Sequence, residues 1–303
     1  MILKQNFTGN LYSGLKYMKQ KVFNSNRYKL TKRTIQYLQS KDCTIPAADS
    51  LAMQKYFSKT LIQPISYPFI SEYLYKRINV LFDNTKSLYY VYHNKKKLYF
   101  KKGLSKTNIR DIYNQLCIEQ DVRSPHSYFA FPICYQSTDI VADIGAAEGV
   151  WALDIVEKVK EIYLFECDEE WIEALQATFE PWSYKIHIVN KFVSDFSDEM
   201  NTALDDYFFG EGKNPDIIKV DIEGAEAECL NGASKLLSHY IRDVLLCTYH
   251  KFNDFTVLSK IMEHYNFEVQ SSEGYMLFIW EEPNYNFKDI ATLFRKGLIY
   301  ARK

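Results

Sequence analysis

Four side chains that can bind a ligand or ionise stand where apolar runs of the sequence end. Asp143 and Glu166 follow two such runs, and Asp221 and His250 follow two others further along the chain. If these runs are neighbouring parallel strands, their carboxyl ends meet at one edge of a sheet, where ligands bind. We therefore expect the three carboxylates and the imidazole to converge on one rim and to form a ligand site.

The segment after the first run is a glycine turn that leads into a predicted helix. Gly145 and Gly149 flank Ala147, and Val150 opens the helix. A turn without side-chain bulk lets a ligand lie against backbone N–H groups at the start of a helix. Glu166, at the end of the next run, stands where nucleotide-binding sheets hold ribose hydroxyls. The pattern predicts a cofactor that contains a nucleoside.

The charge beside this turn favours one class of cofactor. The G-x-G-x-x-G pattern of dinucleotide folds lacks its middle glycine, because Ala147 stands between the two glycines. The Asp143 carboxylate would repel a pyrophosphate and attract a cationic amino-acid tail. S-adenosylmethionine has such a tail and no phosphate, so we predict this cofactor. The enzymatic alternative is an NAD-dependent oxidoreductase of the Rossmann type.

The predicted cofactor contacts are spread along the rim. Asp143 and the Gly145 backbone would hold the methionine end, and Glu166 would hold the ribose hydroxyls. Ser194 and Asp195 follow the third strand, where this fold grips adenine, and Asp195 could accept from the exocyclic amine. The complete predicted set, in chain order, is Asp143, Gly145, Ala146, Gly149, Glu166, Ser194, Asp195 and Asp221.

A second acidic strand end carries a recognisable signature. The sequence K-V-D-I-E-G-A-E at 219–226 is followed by L-N-G-A at 230–233. It resembles the signature of the FkbM-type S-adenosylmethionine-dependent methyltransferases, K-x-D-x-E-G-x-E followed by L-x-G-A. The segment D-I-G-A at 143–146 is similar to that family's donor-binding loop, and T-A-L-D-D at 202–206 is similar to its T-L-D-D segment.

The resemblance extends over about residues 110–303, and the tail 294–303 is similar to the family's closing strand. One departure is Tyr249, since many members carry an acidic residue just before the histidine that is His250 here. The resemblance implies a doubly wound, mostly parallel α/β sheet of seven strands, of the class I methyltransferase type, with an antiparallel last strand.

The resemblance also implies an activity. The expected reaction is O-methylation of a hydroxyl, with a sugar, a glycan or a secondary metabolite as the acceptor. The partner would then be a small molecule or glycan with a free hydroxyl. The non-enzymatic alternative is a donor-binding module that acts as a scaffold in a biosynthetic assembly.

Methylation of a hydroxyl requires a group that accepts its proton, and such a base contributes about 10²–10⁴-fold to the rate. His250 is the first candidate, because an imidazole titrates near neutrality. Asp221 and His126 are the other candidates. His126 lies in a Ser-Pro-His turn just before the donor strand, where a loop could close over the site.

A divalent metal is a further option at the same strand ends. Asp221, Glu223 and His250 carry ligand types that suit magnesium or manganese. Alternation along a strand, however, would point Asp221 and Glu223 to opposite sides. The favoured prediction is a site without a metal, in which Glu223 orients the Gly224 turn.

The wider pattern divides the chain at residue 104. Residues 1–104 are predicted to form helices and a small β-meander that could act as a lid or substrate-binding region. Residues 105–303 form the predicted cofactor-binding domain, in which strands and helices alternate. The predicted strands of this domain are 140–144, 161–166, 185–193, 216–221, 243–249, 267–271 and 298–301. The predicted helices are 105–120, 149–159, 169–180, 225–237 and 254–265.

The composition fits a folded intracellular protein. The apolar content is 47% and the net charge is −1, which favours a sizeable core over disorder. The six cysteines are scattered without a C-x-x-C pair, as in a reducing cytoplasm. The sequence contains neither an apolar stretch of about 18 residues nor the apolar region of a signal peptide. We therefore expect a cytoplasmic enzyme; the sequence does not indicate its oligomeric state.

The first 41 residues contain basic residues and no acidic ones. Such a basic arm could contact an anionic surface. The favoured alternative is a solvated helical face packed on the catalytic domain. No known nucleic-acid-binding module is visible. The basic residues are Lys4, Lys16, Lys19, Lys21, Arg27, Lys29, Lys32, Arg33 and Lys41.

Overall fold

The computed structural model describes residues 25–74, 76–209, 213–279 and 287–303, and its elements are numbered here in chain order. The helices within these residues are α1 (25–38), α2 (Ala47–Phe57), α3 (Lys106–Glu119), α4 (Val150–Ile155), α5 (Glu169–Phe179), α6 (Leu204–Phe209), α7 (Glu226–Asn231), α8 (Ser234–His239) and α9 (Asp254–His264). The sequence also predicts a helix from the helical spacing of Leu11, Leu15, Met18 and Val22, and this segment lies outside the described residues.

The strands fall into a large sheet and smaller ribbons. In chain order they are β1 (Leu81–Asp83), β2 (Leu88–His93), β3 (Lys96–Phe100), β4 (Ile140–Ile144), β5 (Glu161–Phe165), β6 (Ile186–Val189), β7 (Phe192–Val193), β8 (Asn201–Thr202), β9 (Ile217–Val220), β10 (Asp243–Cys247), β11 (Glu268–Ser271), β12 (Met276–Leu277), β13 (Phe294–Arg295) and β14 (Leu298–Arg302).

The large sheet has the strand order β11-β14-β10-β9-β4-β5-β6, seven strands within the described residues. Neighbouring strands from β10 to β6 are parallel, and β14 is antiparallel to both β10 and β11. This arrangement confirms the predicted mostly parallel α/β sheet with an antiparallel last strand. The carboxyl ends of β4, β5, β9 and β10 lie at one edge.

Both faces of the sheet are covered by apolar side chains, as expected for parallel strands. Val141 of β4 belongs to a core cluster that includes residues of α4, α5, β2 and β3. Ala142, the next residue, belongs to the opposite cluster, which includes α6, α7, α8 and α9. Successive residues of a strand point to opposite faces, so one apolar run supplies both cores. No helix within the described residues is long and apolar enough to cross a membrane.

The chain divides into two compact units at positions that differ from the predicted boundary at residue 104. One unit combines Met1–Ile70 with Tyr275–Arg295, and the other combines Ser71–Gly274 with Lys296–Lys303. The meander belongs to the second unit, because it packs on α5 of the large sheet. The Tyr99 N–H donates to Thr178 Oγ1 at 3.0 Å, and Lys101 Nζ lies 2.8 Å from Asp168 Oδ2.

The described part of the basic arm lies in α1 and the loop after it. Arg27 Nε donates to the Ile62 carbonyl at 3.1 Å, and Arg33 Nη2 donates to the Phe287 carbonyl at 2.6 Å. These two guanidinium groups therefore stabilise their own unit. Contact of the arm with an anionic surface stays a prediction.

Candidate active site at the carboxyl edge of the sheet

The turn after β4 is shaped by a glycine in close contact with β9. Gly145 has a φ of +78°, and a Cβ at this position would lie 2.0 Å from the Asp221 carbonyl oxygen. Only glycine combines this conformation with so close an approach of two backbones. The turn after β4 is thereby held directly against the end of β9.

Glu166 fastens the same turn to β5. Its Oε2 accepts from the Ala147 N–H at 2.8 Å, and its Oε1 accepts from the Asp168 N–H at 2.8 Å. The residue is 7% exposed and its carboxylate borders an open cavity. Glu166 thus holds the turn while it faces the space where a ligand could bind.

The cavity lies at the ends of β4, β5 and β9 and has a volume of about 470 Å³. This volume is within the range of about 300–1,000 Å³ that small-molecule sites occupy. Its apolar walls include Phe165, Trp171, Phe192, Val193 and Ile222. Its ionisable walls are Glu166, Cys167, Asp168, Lys191, Asp221 and Glu223. Among the described lining residues, four are carboxylates and one, Lys191, is cationic. The cavity therefore favours a cationic ligand.

Asp143, which is not among the described lining residues, forms a buried ion pair that was not predicted from the sequence. Its side chain is 1% exposed, and its Oδ1 accepts from Lys219 Nζ at 2.8 Å. Lys219 Nζ also donates to the Gly145 carbonyl at 2.7 Å. Burial disfavours the ammonium, but the Asp143 and Asp221 charges outweigh it and raise the pKa of Lys219. Direct contact of Asp143 with a cationic tail stays a prediction. In the structure, the Asp143 carboxylate forms an ion pair with Lys219.

The signal for this pair was a charged residue inside an apolar strand. Lys219 stands within Ile217–Val220, whose residues are all buried. A buried charge requires a partner. The parallel register of β4 and β9 places Lys219 directly beside Asp143.

The three predicted catalytic residues lie together around Asp221. The Tyr128 hydroxyl donates to Asp221 Oδ2 at 2.7 Å. His126 Nε2 lies 3.7 Å from that oxygen, and His250 Nε2 lies 3.7 Å from Asp221 Oδ1. Burial disfavours the Asp221 carboxylate, but Lys219 and the two histidines outweigh burial and lower its pKa. Asp221 is therefore a charged centre shared by two imidazoles.

The two histidines differ in their ability to take up a proton. His126 is buried, and burial lowers its pKa to about 4. Burial also disfavours the His250 cation, but a hydrogen bond to Glu226 and the surrounding carboxylates outweigh burial and raise the pKa of His250. His126 is therefore uncharged near neutral pH, whereas His250 takes up a proton more readily than an ordinary histidine.

The potential metal ligands are close together. His250 Nε2 lies 3.7 Å from Asp221 Oδ1 and 3.9 Å from Glu223 Oε2. The expected alternation of the two carboxylates does not hold, because β9 ends at Val220 and Glu223 adopts a φ of +57°. These three ligand types would suit a divalent cation. A site without a metal stays the favoured prediction, and a bound metal stays the alternative to it.

The remaining predicted cofactor contacts differ in their relation to the cavity. Gly145 lines it, together with Ala147, which was not predicted as a contact. Ala146 and Gly149 are buried and do not appear among the described lining residues. Ser194 and Asp195 do not appear among the described lining residues; the preceding residues 191–193 do. Their roles stay predictions.

Comparison with known proteins supports one family. Residues 175–269 match the model of the methyltransferase FkbM domain, which confirms the resemblance for the segment that contains Asp221, Glu223 and His250. This segment is therefore similar to part of a methyltransferase FkbM domain. No curated protein matches the chain.

Several solved structures are similar to this chain at low identity. An FkbM methyltransferase from Methylobacillus flagellatus KT has 17% identity and a TM-score of 0.45, covering 62% of this chain and 50% of that one. A precorrin-6y C5,15-methyltransferase from Geobacter metallireducens GS-15 has 13% identity and a TM-score of 0.40, covering 70% and 96%. An rRNA methylase from Streptococcus thermophilus has 16% identity and a TM-score of 0.34, covering 56% and 89%. The chain thus spans about half the length of the first of these structures.

Proposed function

We propose that the protein is an S-adenosylmethionine-dependent methyltransferase that methylates a hydroxyl of a sugar, a glycan or a secondary metabolite. The observation that carries the proposal is the acidic cavity at the ends of β4, β5 and β9, with Glu166 on its wall. The FkbM match over residues 175–269 supports the same reaction class.

The residues around the cavity fit this cofactor. Glu166 offers carboxylate oxygens for ribose hydroxyls, and Phe192 and Val193 offer an apolar surface for adenine. The Asp168 and Glu223 carboxylates would favour the positive charges of the sulfonium and amino groups. When bound, S-adenosylmethionine supplies a methyl group activated by the adjoining sulfonium charge.

The cavity-lining Asp221 and the two histidines beside it supply the acid–base chemistry. A hydroxyl loses its proton as its oxygen becomes methylated, and His250 Nε2 is the proposed acceptor of that proton. The Asp221 carboxylate, 3.7 Å away, would stabilise the imidazolium that forms. His126, with a pKa of about 4, would remain neutral and help to hold Asp221.

Transfer of a labelled methyl group can reveal the acceptor class. The protein is incubated with methyl-labelled S-adenosylmethionine and a fractionated extract of glycans and metabolites, and labelled products are identified by mass spectrometry. The proposal expects a label on an oxygen of one acceptor class. A label on carbon or nitrogen would contradict O-methylation, and binding of the donor without any labelled product would favour the scaffold alternative.

A further inference from the structure

We propose that Glu226 is a positioning residue that orients His250 and fixes which ring nitrogen faces the reaction. The inference rests on the proposed function, since it assigns a role in the proton transfer by His250. Glu226 is the last residue of the signature at 219–226, and it belongs to neither the cavity wall nor the predicted catalytic set.

The Glu226 carboxylate joins two strand ends. Glu226 is the first residue of α7 and is 1% exposed. Its Oε1 accepts from the Ile222 N–H at 3.1 Å, from the Gly224 N–H at 3.3 Å and from His250 Nδ1 at 2.9 Å. Glu226 Oε1 therefore connects the turn after β9 to His250, in the loop after β10.

This contact determines the tautomer of His250. A carboxylate only accepts hydrogen bonds, so Nδ1 carries the proton that it donates to Glu226. In neutral His250, the lone pair then lies on Nε2, which faces Asp221 Oδ1 at 3.7 Å. Without Glu226, neither the ring orientation nor the position of the proton on the ring would be fixed.

The turn held by Glu226 has an unusual backbone. Glu223 has a φ of +57° and Gly224 a φ of +98°. A non-glycine residue in this region is strained and is maintained only when its surroundings enforce it. The two N–H groups bound by Glu226 flank Glu223, so the same carboxylate stabilises this turn and places it beside His250.

The charge of Glu226 acts on His250 together with other groups. The ionisable neighbours of His250 on the elements around it are Asp221, Glu223, Glu226, Asp254, His126, Tyr249 and Lys251. Of the carboxylates, Glu226 makes the direct hydrogen bond, at 2.9 Å. Its removal should therefore leave the ring orientation and the tautomer of His250 unfixed.

The test uses the full chain labelled with ¹⁵N-histidine, and its NMR spectra report the tautomer and the titration of each ring. A His250→Asn variant identifies the His250 signals. Glu226→Gln keeps the side-chain shape and an accepting oxygen but removes the charge. Glu228→Gln is the matched control, because Glu228 lies on the same helix and pairs only with Lys251, at 3.9 Å, among the ion pairs of the described residues.

The expected result is an Nδ1–H tautomer of neutral His250 in the unaltered protein. The share of this tautomer should fall in E226Q, because the Gln amide offers an N–H donor as well as an accepting oxygen, and it should stay unchanged in E228Q. An Nε2–H tautomer in the unaltered protein, or the same tautomer population in E226Q and E228Q, would overturn the inference.

The spectra require no acceptor and no donor, so they test Glu226 independently of the proposed function. The tautomer is read from the unaltered protein, which keeps the inference falsifiable even if E226Q fails to fold. Failure of the proposed function would appear elsewhere, as an absence of S-adenosylmethionine binding by calorimetry.

Discussion

At the residue scale, the site combines one charged carboxylate with two imidazoles of opposite behaviour. Asp221 is held by Tyr128 and lies between His126 and His250. His126 comes from a loop before β4, Asp221 from the end of β9 and His250 from the loop after β10. Only the folded sheet brings these three segments together. This arrangement gives one imidazole for proton transfer and one that remains neutral.

Replacement of His250 should separate chemistry from binding. We expect His250→Ala to lower turnover by about 10²–10⁴-fold, because the base is lost. The affinity for S-adenosylmethionine should stay nearly unchanged, since His250 does not appear among the described residues that line the cavity. Steady-state kinetics and titration calorimetry measure the two effects. The control is His264→Ala, on the exposed last turn of α9. Near-normal turnover of H250A would contradict the assignment and make Asp221 or His126 the base.

The pH dependence should identify the same residue. The pKa of His250 is raised above the usual value for histidine, about 6.5, because nearby carboxylates outweigh burial. A base must be unprotonated, so kcat should rise with pH through that raised pKa and level off above it. A profile of kcat from about pH 3 to 9 tests this expectation. An acid limb near 4, the value for His126, would point to the other histidine.

Glu166 provides a test of the cofactor contact. We expect Glu166→Gln to weaken S-adenosylmethionine binding about tenfold or more, because hydrogen bonds to a charged group contribute about 1.5–3 kcal/mol. Titration calorimetry measures the change. Glu170→Gln, at an exposed position of α5, is the matched control. Equal affinities of the two variants would remove Glu166 from the ribose contact.

At the element scale, the site depends on how the turn after β4 meets the end of β9. Gly145 and Gly103 both have positive φ, +78° and +84°, but only Gly145 lies against another backbone. An alanine in this conformation costs about 1–2 kcal/mol. At Gly145, the added Cβ would also lie 2.0 Å from the Asp221 carbonyl.

Gly145→Ala should therefore lower the free energy of unfolding by clearly more than Gly103→Ala, whose added Cβ meets no atom within 4 Å. Denaturant unfolding of both variants measures the difference. We also expect G145A to lose donor binding, because its turn must move away from β9. Equal destabilisation by the two substitutions would contradict the close packing of this turn.

The sequence predicted the sheet well where strands are apolar and separated by helices. The strand 140–144 is β4 as observed, and the predicted helix 169–180 is α5, Glu169–Phe179. The predicted strand 185–193 is broken, because β7 leaves the large sheet and pairs with β8. The predicted helix 225–237 is divided into α7 and α8 near Gly232, where the backbone lies against the Ser194 carbonyl. Such breaks depend on tertiary contacts that periodicity does not contain.

The candidate site was predictable in part for a similar reason. Parallel strand ends meet, so Glu166, Asp221 and His250 were expected at one rim. The roles of Tyr128 and Glu226 were not predicted, because each depends on a through-space partner in a distant segment. Tyr128 lies 93 residues before Asp221, and Glu226 lies 24 residues before His250.

At the scale of the whole molecule, the residues of the proposed site all belong to one unit. This unit comprises Ser71–Gly274 and Lys296–Lys303, so the last strand β14 returns to the sheet after an insertion. The insertion, Tyr275–Arg295, belongs with Met1–Ile70 in the other unit. The meander that was expected in the N-terminal region belongs instead to the unit that holds the cavity.

A thermal unfolding experiment with S-adenosylmethionine and NAD⁺ tests the central claim, that the acidic cavity accepts a cationic nucleoside donor. Binding to the folded state alone adds about 2.7 kcal/mol of stability at a ligand concentration 100 times Kd. We predict a concentration-dependent rise in Tm with S-adenosylmethionine that E166Q diminishes, and no rise with NAD⁺. Stabilisation by NAD⁺ alone, or by neither compound, would contradict the account.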